Sequence, residues 1–334
     1  MFAMRRREFI TLLGGAAAAW PHAAYAQPAY PARRIGVFLG LAASADDPGA
    51  SEIVQPFKAA MQEAGWIDGK NIRYDYRFGG GDLAKINAAA AELVALAPEL
   101  IYATGLPPAQ ALRQKTQTIP IVFSLVADPV GFGLVERLNH PGGNVTGFIV
   151  WDLSIGGKWM QLLQEIAPDL RRIGIMYNPD TAPYAPPLVA SAKATATRGV
   201  AVFDCLTRDD REIEAAASSL ANEPHCGLLI LPEPFTNAHR DQIIAQSARF
   251  GLPTLNPVFG AANRGALISY TYAFDVMMRQ PVTYIDRILR GESPGNLPVQ
   301  APTKYVLSIN VKVAKTLGLS VPSTLLALAD EVIE

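Results

Sequence analysis

The amino-acid sequence predicts an α/β protein of two Rossmann-like lobes with parallel-type sheets, joined by a hinge of three chain segments. Strand-like and helix-like segments alternate from Arg33 onward, as they do in α/β folds. The pattern then starts again, because "RRIGVFLG" at 33–40 is echoed by "RRIGIMYN" at 171–178. Each copy opens a similar order of elements, which indicates two lobes. The tail continues past both series, and about three crossings between the lobes would form a hinge.

The first series opens with the apolar run 34–40, which ends in glycine as a buried parallel strand often does. Segment 51–65 has apolar residues at helical spacing and stops at Gly65. We expect Pro56 to lie in the first turn of this helix, where proline is tolerated. The elements expected next are a strand at 71–78, a helix at 82–98 capped by Asp82, strands at 100–105 and 119–125, and a helix between these at 108–115.

The second series opens with a strand at 171–178 and closes with a helix that has Asn237 near its start and Gly251 just past its end. In the tail, Pro281 should kink or break the helical segment 276–291. The remaining predicted elements are strands at 200–206 and 226–231, helices at 187–197, 209–222 and 237–249, a strand with a loop at 265–275, a Pro/Gly-rich crossing at 291–303, and a strand followed by a short helix at 304–319.

The first 26 residues have the three parts of a bacterial signal peptide. Arginines 5–7 precede the apolar run 9–19, and Ala24-Tyr25-Ala26 is a cleavage motif that makes Gln27 the expected mature N-terminus. The pair Arg6-Arg7 before Glu8-Phe9-Ile10 favours the twin-arginine export route. The apolar run has eleven residues, whereas a membrane-spanning helix needs about 20. We therefore expect a soluble periplasmic protein without membrane insertion, cleaved after Ala26.

Composition excludes several functional classes. The formal net charge is −1, so no basic surface for nucleic acid is expected. The mature chain has no HExxH, GxSxG or CxxC motif and no histidine spacing for a metal, so we expect neither an enzyme nor a cofactor. The two cysteines, Cys205 and Cys226, lie at opposite ends of consecutive predicted strands. We expect both to be buried free thiols, since a disulfide could not span that distance.

Candidate ligand-binding residues lie in loops that follow strands, because open α/β sheets bind ligands beyond the carboxyl ends of their strands. Thr104-Gly105, Asn178 to Thr181 and Asp128-Pro129 could equally be turn or capping sequences. Both interpretations stay open on the sequence alone. The candidate residues are Gly40, Thr104, Gly105, Leu106, Asp128, Trp151, Asn178, Thr181, Tyr184, Glu233, Phe235, Asn256, Ser269 and Tyr270.

Several longer motifs together resemble a known family. They include "GWIDGKNIRYDYRF", "SLVADPVGFGLVERLNHPGGNVTGF", "GGKWMQLLQEIAPDLRRIGIMYNPD" and "LPVQAPTKYVLSINVKVAKTLGL", and they cover nearly all of the mature chain. The chain resembles the substrate-binding proteins of bacterial ABC transporters, in the group that includes tryptophan- and phenylalanine-binding members. In two loops it departs from the expected pattern, with Asn256 where many relatives have tyrosine, and Thr271-Tyr272 where a small glycine-containing turn is common.

The resemblance implies a type I periplasmic binding protein, with lobes of about 31–150 plus 264–293 and 151–263 plus 294–334. It implies a monomer that closes around a small organic ligand, an amino acid or an aromatic or organic carboxylate, and delivers it to a permease with its ATPase. A ligand sensor for a membrane receptor and a periplasmic enzyme using the same cleft are the alternatives.

Within the cleft, we expect the ligand's anionic end to meet helix N-termini and hydroxyls near Thr104 and Thr181. Its apolar body would lie among aromatic side chains, and an amino group would face Asp128 or Glu233. The expected aromatic residues are Tyr184, Phe235 and Tyr270.

Overall fold

A computed structural model describes residues 32–334, and the predicted signal peptide lies outside these residues. Two sheets organise the described chain. The first has five strands in the order β2-β1-β3-β4-β5, all parallel. The second has seven strands in the order β12-β11-β10-β9-β8-β6-β7, and only the β10–β11 pair within it is antiparallel. This is the predicted α/β architecture of two lobes.

The first lobe alternates strands and helices, and its sheet is buried on both faces. One face packs against helices α1, α9 and α10, and the other packs against α2 and α3. Asp47 and Asp82 cap α1 and α2 by accepting backbone N–H groups of the first turn. The elements are β1 (Arg33–Leu39), α1 (Pro48–Glu63), β2 (Ile72–Phe78), α2 (Leu83–Ala95), β3 (Leu100–Thr104), α3 (Leu106–Lys115), β4 (Ile121–Val126), β5 (Val145–Ile149), α9 (Phe274–Arg279) and α10 (Pro281–Leu289).

The second lobe repeats this arrangement around its own sheet. Helices α4 and α5 cover one face, and α6 and α8 cover the other. The elements are α4 (Ile155–Ile166), β6 (Arg172–Tyr177), α5 (Ala185–Thr195), β7 (Ala201–Leu206), α6 (Asp210–Ala221), β8 (Cys226–Ile230), α7 (Pro234–Ala238), α8 (Arg240–Arg249), β9 (Thr254–Leu255), β10 (Ile268–Tyr272), β11 (Tyr305–Asn310), α11 (Val311–Thr316), α12 (Ser323–Leu328) and β12 (Glu331–Ile333).

The chain passes between the lobes three times, as predicted. The crossings follow β5, follow β10 and precede β11. They are bonded to one another, because Ile149 N–H donates to Gln300 O at 2.9 Å and Ala273 N–H donates to Lys304 O at 3.0 Å. Three short, adjacent segments of this kind can act together as a hinge.

The structure corrects the expected lobe boundaries at two places. Residues 264–272 were assigned to the first lobe, but β10 pairs with β9 and β11 in the second sheet. Residues 294–300 were assigned to the second lobe, but Leu297 packs in a first-lobe core cluster and Gln300 N–H donates to Gly147 O. The crossings therefore lie a few residues beyond the expected positions.

Several element predictions also differ in detail. Helix α1 begins at Pro48, so Pro56 lies in the helix interior and not in the first turn. The helix expected at 237–249 is two helices, α7 and α8. The break at Pro281 is confirmed, because α9 ends at Arg279 and α10 begins at the proline. Strands β5, β9 and β12 lie where no strand was predicted.

The two cysteines are buried free thiols, as expected. Cys205 pairs in register with Met176 of β6, and Cys226 pairs with Arg172 on the other side of the same strand. The two cysteines therefore lie on opposite sides of β6, at positions four residues apart along that strand. Among the helices of residues 32–334, none is long and apolar enough to cross a membrane.

Candidate functional site

The candidate site lies where the strand order of each sheet reverses. In the first sheet this point is between β1 and β3, and in the second it is between β6 and β8. Connections leave the sheet in opposite directions on either side of such a point, which opens a crevice beyond the strands' carboxyl ends. Gly40 and Thr104 lie at the ends of β1 and β3, beside the first crevice. Asn178 and Glu233 follow β6 and β8, beside the second.

At the first crevice, Gly40 and Thr104 are buried and close together. The backbone N–H of Gly40 lies 3.4 Å from the Thr104 hydroxyl oxygen and 3.3 Å from its carbonyl oxygen. A Cβ on Gly40 would lie 2.6 Å from the Pro108 ring and 2.8 Å from the Thr104 carbonyl, so only glycine fits here. Gly105 has a φ of 91°, which favours glycine, and it directs the chain into α3 at Leu106.

A triple-glycine turn supports this crevice from behind. The backbone N–H groups of Gly79, Gly80 and Gly81 donate to the carbonyls of Leu39, Ala42 and Gly40, each at 2.9 Å. Gly80 and Gly81 have positive φ values of 57° and 72°. The loop after β1 is therefore fixed by the loop after β2, which makes the first crevice a rigid surface.

At the second crevice, the Glu233 side chain is 1% exposed and joins two loops. One carboxylate oxygen accepts the backbone N–H of Asn178 at 3.2 Å and that of Thr236 at 2.9 Å. The other accepts the Thr181 hydroxyl at 2.5 Å and the Phe235 N–H at 2.7 Å. Thr181 thus donates to an internal carboxylate, so its hydroxyl hydrogen is not directed at a ligand.

The helices at both crevices begin with prolines, which removes backbone donors. Pro107 and Pro108 are the second and third residues of α3, and Pro186 and Pro187 hold the same places in α5. Proline has no N–H, so neither helix start offers the usual cluster of anion-binding donors. At the start of α3, the Leu106 N–H is the one donor that precedes the two prolines. At α5, the N–H of Ala185 already donates to Ala182 O at 2.9 Å.

Aromatic rings cluster where the chain crosses after β5. The Trp151 ring lies 5.8 Å from that of Trp159 and 6.2 Å from that of Tyr184. The Trp159 indole N–H donates to the backbone carbonyl of Tyr270 at 2.9 Å. Tyr270 in turn stacks on Tyr305 with the ring centroids 5.2 Å apart. All three crossings therefore contribute to one aromatic group.

Trp151 differs from its neighbours in one respect. It is 6% exposed, and its indole nitrogen is buried without a hydrogen-bond partner among the described residues. An indole N–H can only donate, so a partner must bring an acceptor. An unpaired buried donor costs stability, and ligand sites are places where such a cost is tolerated.

The phenols of the group stay protonated at neutral pH. Burial raises the pKa of Tyr184 far above its ordinary value, and the neighbouring Glu233 carboxylate raises it further. Burial likewise raises the pKa of Tyr305 to about 12 and raises that of Tyr270. The Tyr184 hydroxyl donates to Pro232 O at 3.1 Å, which fixes its ring beside Trp151.

The other candidates do not join this group. The Asp128 carboxylate accepts the Gly131 N–H at 2.8 Å, so it caps a turn. The Phe235 ring lies tilted against that of His239, with the ring centroids 4.1 Å apart, and packs against the core beneath α6 and α8. Asn256 is fully buried, and its side-chain oxygen accepts the Val258 N–H at 3.2 Å. Ser269 donates to Val258 O at 3.3 Å, behind the same loop.

The two lobes, each with a crevice beyond the carboxyl ends of its strands, agree with the comparisons with known proteins. Residues 39–333 match the family described as ABC transporter substrate binding protein. The chain belongs to this family. The fold is accordingly the type I periplasmic binding fold.

Relatives of the substrate-binding protein include a tyrosine-binding protein from Clostridioides difficile, which is 26% identical over 84% of this chain and 81% of its own length. A Vibrio cholerae conserved domain protein has 28% identity, a TM-score of 0.79, and coverage of 90% of this chain and 99% of its own. A Streptococcus domain in complex with L-Trp has 22% identity, a TM-score of 0.79, and coverage of 90% and 100%, and this likeness shows the fold.

Sequence reasoning did not single out several exposed apolar residues in loops that follow strands. Leu41, Val130 and Phe259 follow β1, β4 and β9, and they are 61%, 41% and 54% exposed. Trp159 and Tyr305 were also missed, because each lies within a regular element, α4 and β11. The sequence contains a signal for the loop residues, because a large apolar residue in a loop after a buried strand does not pack in the core of a regular element.

Within residues 32–334, no cluster of three or more histidine, cysteine, aspartate or glutamate side chains could hold an ion. The groups that the described cleft presents are hydroxyls, backbone N–H groups, aromatic rings and carboxylates. Such a set is suited to binding an organic molecule.

Proposed function

We propose that this substrate-binding protein is the extracytoplasmic component of an ABC importer and that it binds an amino-acid-like ligand between its lobes. The ligand is then delivered to a membrane permease. Two relatives support the ligand class, since one is named a tyrosine-binding protein and another was solved in complex with L-Trp. The predicted signal peptide supports a periplasmic location for this activity, with a mature chain that begins at Gln27. The proposed working form is a monomer.

One observation carries the proposal. Ala127, from the loop after β4, belongs to the core cluster that also holds Trp151 on the first crossing and Tyr177 and Ala182 at the carboxyl end of β6. We infer from this shared cluster that the carboxyl ends of both sheets face each other. Trp151, with its unpaired N–H, lies between them on the first crossing. A ligand entering here is contacted by both lobes, which is what closure requires.

The first crevice supplies a donor for a carboxylate. The Leu106 N–H is the first of α3, whereas the Thr104 hydroxyl donates to the Phe38 carbonyl oxygen at 3.5 Å and lines the crevice beside it. The ligand's apolar body lies against Trp151 and Tyr184, and the exposed Leu41, Val130 and Phe259 cover it on closure.

This proposal is tested by a thermal-shift screen of the mature chain, 27–334. Aromatic amino acids should raise the unfolding midpoint, since a ligand that binds only the folded state stabilises it by mass action. Aliphatic amino acids, dicarboxylates and sugars serve as comparison ligands. A shift with sugars alone would contradict the ligand class. Release of ammonia or another product from the bound ligand would instead indicate an enzyme.

A further inference from the structure

The Glu233 carboxylate is a buried negative charge at the second crevice. Its four hydrogen-bond donors are three backbone N–H groups and one hydroxyl, all of them neutral. A group that faces four donors and no acceptor is hydrogen-bonded as a carboxylate ion, which is acceptor-only. Among the described residues, no arginine, lysine or histidine forms an ion pair with it. The hydrogen bonds hold the charge in place without neutralising it.

In the described part of the chain, the second crevice differs from the first in its charge and at its helix start. Arg208, just after β7, is paired with Asp180 at 3.1 Å. The start of α5 has no spare backbone N–H, because Ala185 donates to Ala182 and the next two residues are prolines. Among residues 32–334, Glu233 is thus the one charged residue that is buried, whereas Arg208 and Asp180 are exposed to solvent. Unlike the first crevice, the second repels a ligand carboxylate.

We propose that Glu233 selects the charge and sets the orientation of the ligand without touching it. The ligand's carboxylate is directed to the first crevice, at the Leu106 N–H, and its cationic group is directed toward the second lobe. The ligand class is therefore zwitterionic or cationic, and ligands whose only charge is negative are disfavoured. This inference rests on the proposed function.

Three ligands that share one ring test the inference. L-Tyrosine is a zwitterion, tyramine has only the ammonium group, and 3-(4-hydroxyphenyl)propionate has only the carboxylate. Dissociation constants are measured by calorimetry on the mature chain, with the two analogues in competition against tyrosine. The wild type should bind tyramine more tightly than the propionate. In Glu233→Gln, the affinity ratio should shift toward the propionate on the order of tenfold, the effect of one charge several ångströms away at an effective dielectric constant near 20.

The Thr181→Ala variant is the matched control. It removes one hydrogen bond to Glu233 but keeps the charge, so all affinities fall together and the ratio stays unchanged. If Glu233→Gln behaves like this control, Glu233 has only a structural role and the inference is wrong. The affinities of the wild type for tyramine and the propionate test the inference even if Glu233→Gln does not fold. If the wild type binds the propionate as well as it binds tyramine, the inference is wrong. If none of the three ligands binds the wild type, the proposed function itself fails.

Discussion

Trp151 and Trp159 are two buried indoles in contact, and they differ in what their N–H groups do. The Trp159 N–H donates to Tyr270 O, whereas the Trp151 N–H has no partner among the described residues. Replacing either by phenylalanine removes the same ring volume. We expect Trp159→Phe to lower the free energy of unfolding by about 1–2 kcal/mol more than Trp151→Phe, because only Trp159 loses a hydrogen bond. Urea unfolding of the ligand-free protein measures this difference.

For ligand affinity, we expect Trp151→Phe to have the larger effect and Trp159→Phe the smaller one. If the ligand supplies the missing acceptor, Trp151→Phe weakens its affinity by about tenfold, the value of one hydrogen bond, while Trp159→Phe changes it little. Calorimetry with the best ligand of the screen measures both. Equal affinities in the two variants would show that the Trp151 N–H does not reach the ligand.

Gly40 tests the rigidity of the first crevice. A Cβ there would lie 2.6 Å from Pro108 and 2.8 Å from the Thr104 carbonyl. Gly40→Ala should therefore push α3 away from β1, lower the free energy of unfolding by about 1–3 kcal/mol, and weaken ligand binding. Urea unfolding and calorimetry measure the two effects.

The control for this substitution is Gly49→Ala, in the first turn of α1. There the nearest atom to an added Cβ is an Asp47 side-chain oxygen at 3.3 Å, which can move. This variant should be as stable as the wild type or slightly more stable. If Gly40→Ala is equally harmless, the crevice is more adaptable than its geometry indicates.

At the residue scale, the sequence could predict which loops form the site but not what each side chain does there. Gly40, Thr104 and Glu233 follow buried strands, and strand ends are visible as apolar runs. The partners of Glu233 were not predictable in the same way. Asn178 and Thr181 lie more than 50 positions earlier in the chain, and only the parallel neighbours β6 and β8 bring them to it.

At the scale of elements, the ion pair between β1 and β2 gives a pH prediction. The Arg34 guanidinium donates to Asp75, with one contact of 3.2 Å, and this hydrogen bond is the main cause that lowers the pKa of Asp75. A folded-state pKa below the unfolded value of about 3.9 stabilises the protein above that pH. The stabilisation is lost as the pH falls through the folded-state pKa.

Asp75→Asn should therefore be less stable than the wild type at pH 7, by about 1 kcal/mol or less for a partly exposed pair. The difference should shrink as the pH falls below about 4. Urea unfolding at several pH values measures it. Glu99→Gln is the control, since its pair with Arg33 is more than 40% exposed on both sides and should contribute less. A difference that grows toward low pH would refute the assignment.

The elements themselves were largely predictable, and the misses have physical causes. Long elements with clear periodicity, such as β1 and α2, were found. Strand β9 has two residues and β12 has three, too few for any periodic signal. Pro56 was placed in a first turn because proline is costly within a helix. The packing of Phe57 and Met61 in the first-lobe core outweighs that cost.

At the scale of the whole molecule, the two lobes were visible in the repeated opening strand, but the crossing points were not. The position at which the chain passes from one lobe to the other depends on which sheet each strand joins. Strand β10 joins the second sheet through β9 and β11, and Gln300 joins β5 of the first. Those pairings depend on the completed sheets, so local composition could place the crossings only to within several residues.

Closure about these crossings should be visible in tryptophan fluorescence. Of the tryptophans expected in the mature chain, Trp151 lies on the first crossing and Trp159 contacts it from α4 of the second lobe. Trp66 lies in the first lobe, where its N–H donates to Asp286 at 2.8 Å. A hinge motion changes the surroundings of the first two and leaves Trp66 within one rigid lobe. The ligand-induced change in emission should thus persist in Trp66→Phe and be largely lost in Trp151→Phe at saturating ligand. The reverse pattern would mean that the ligand acts on the outer surface of the first lobe, and the cleft would no longer be the binding site.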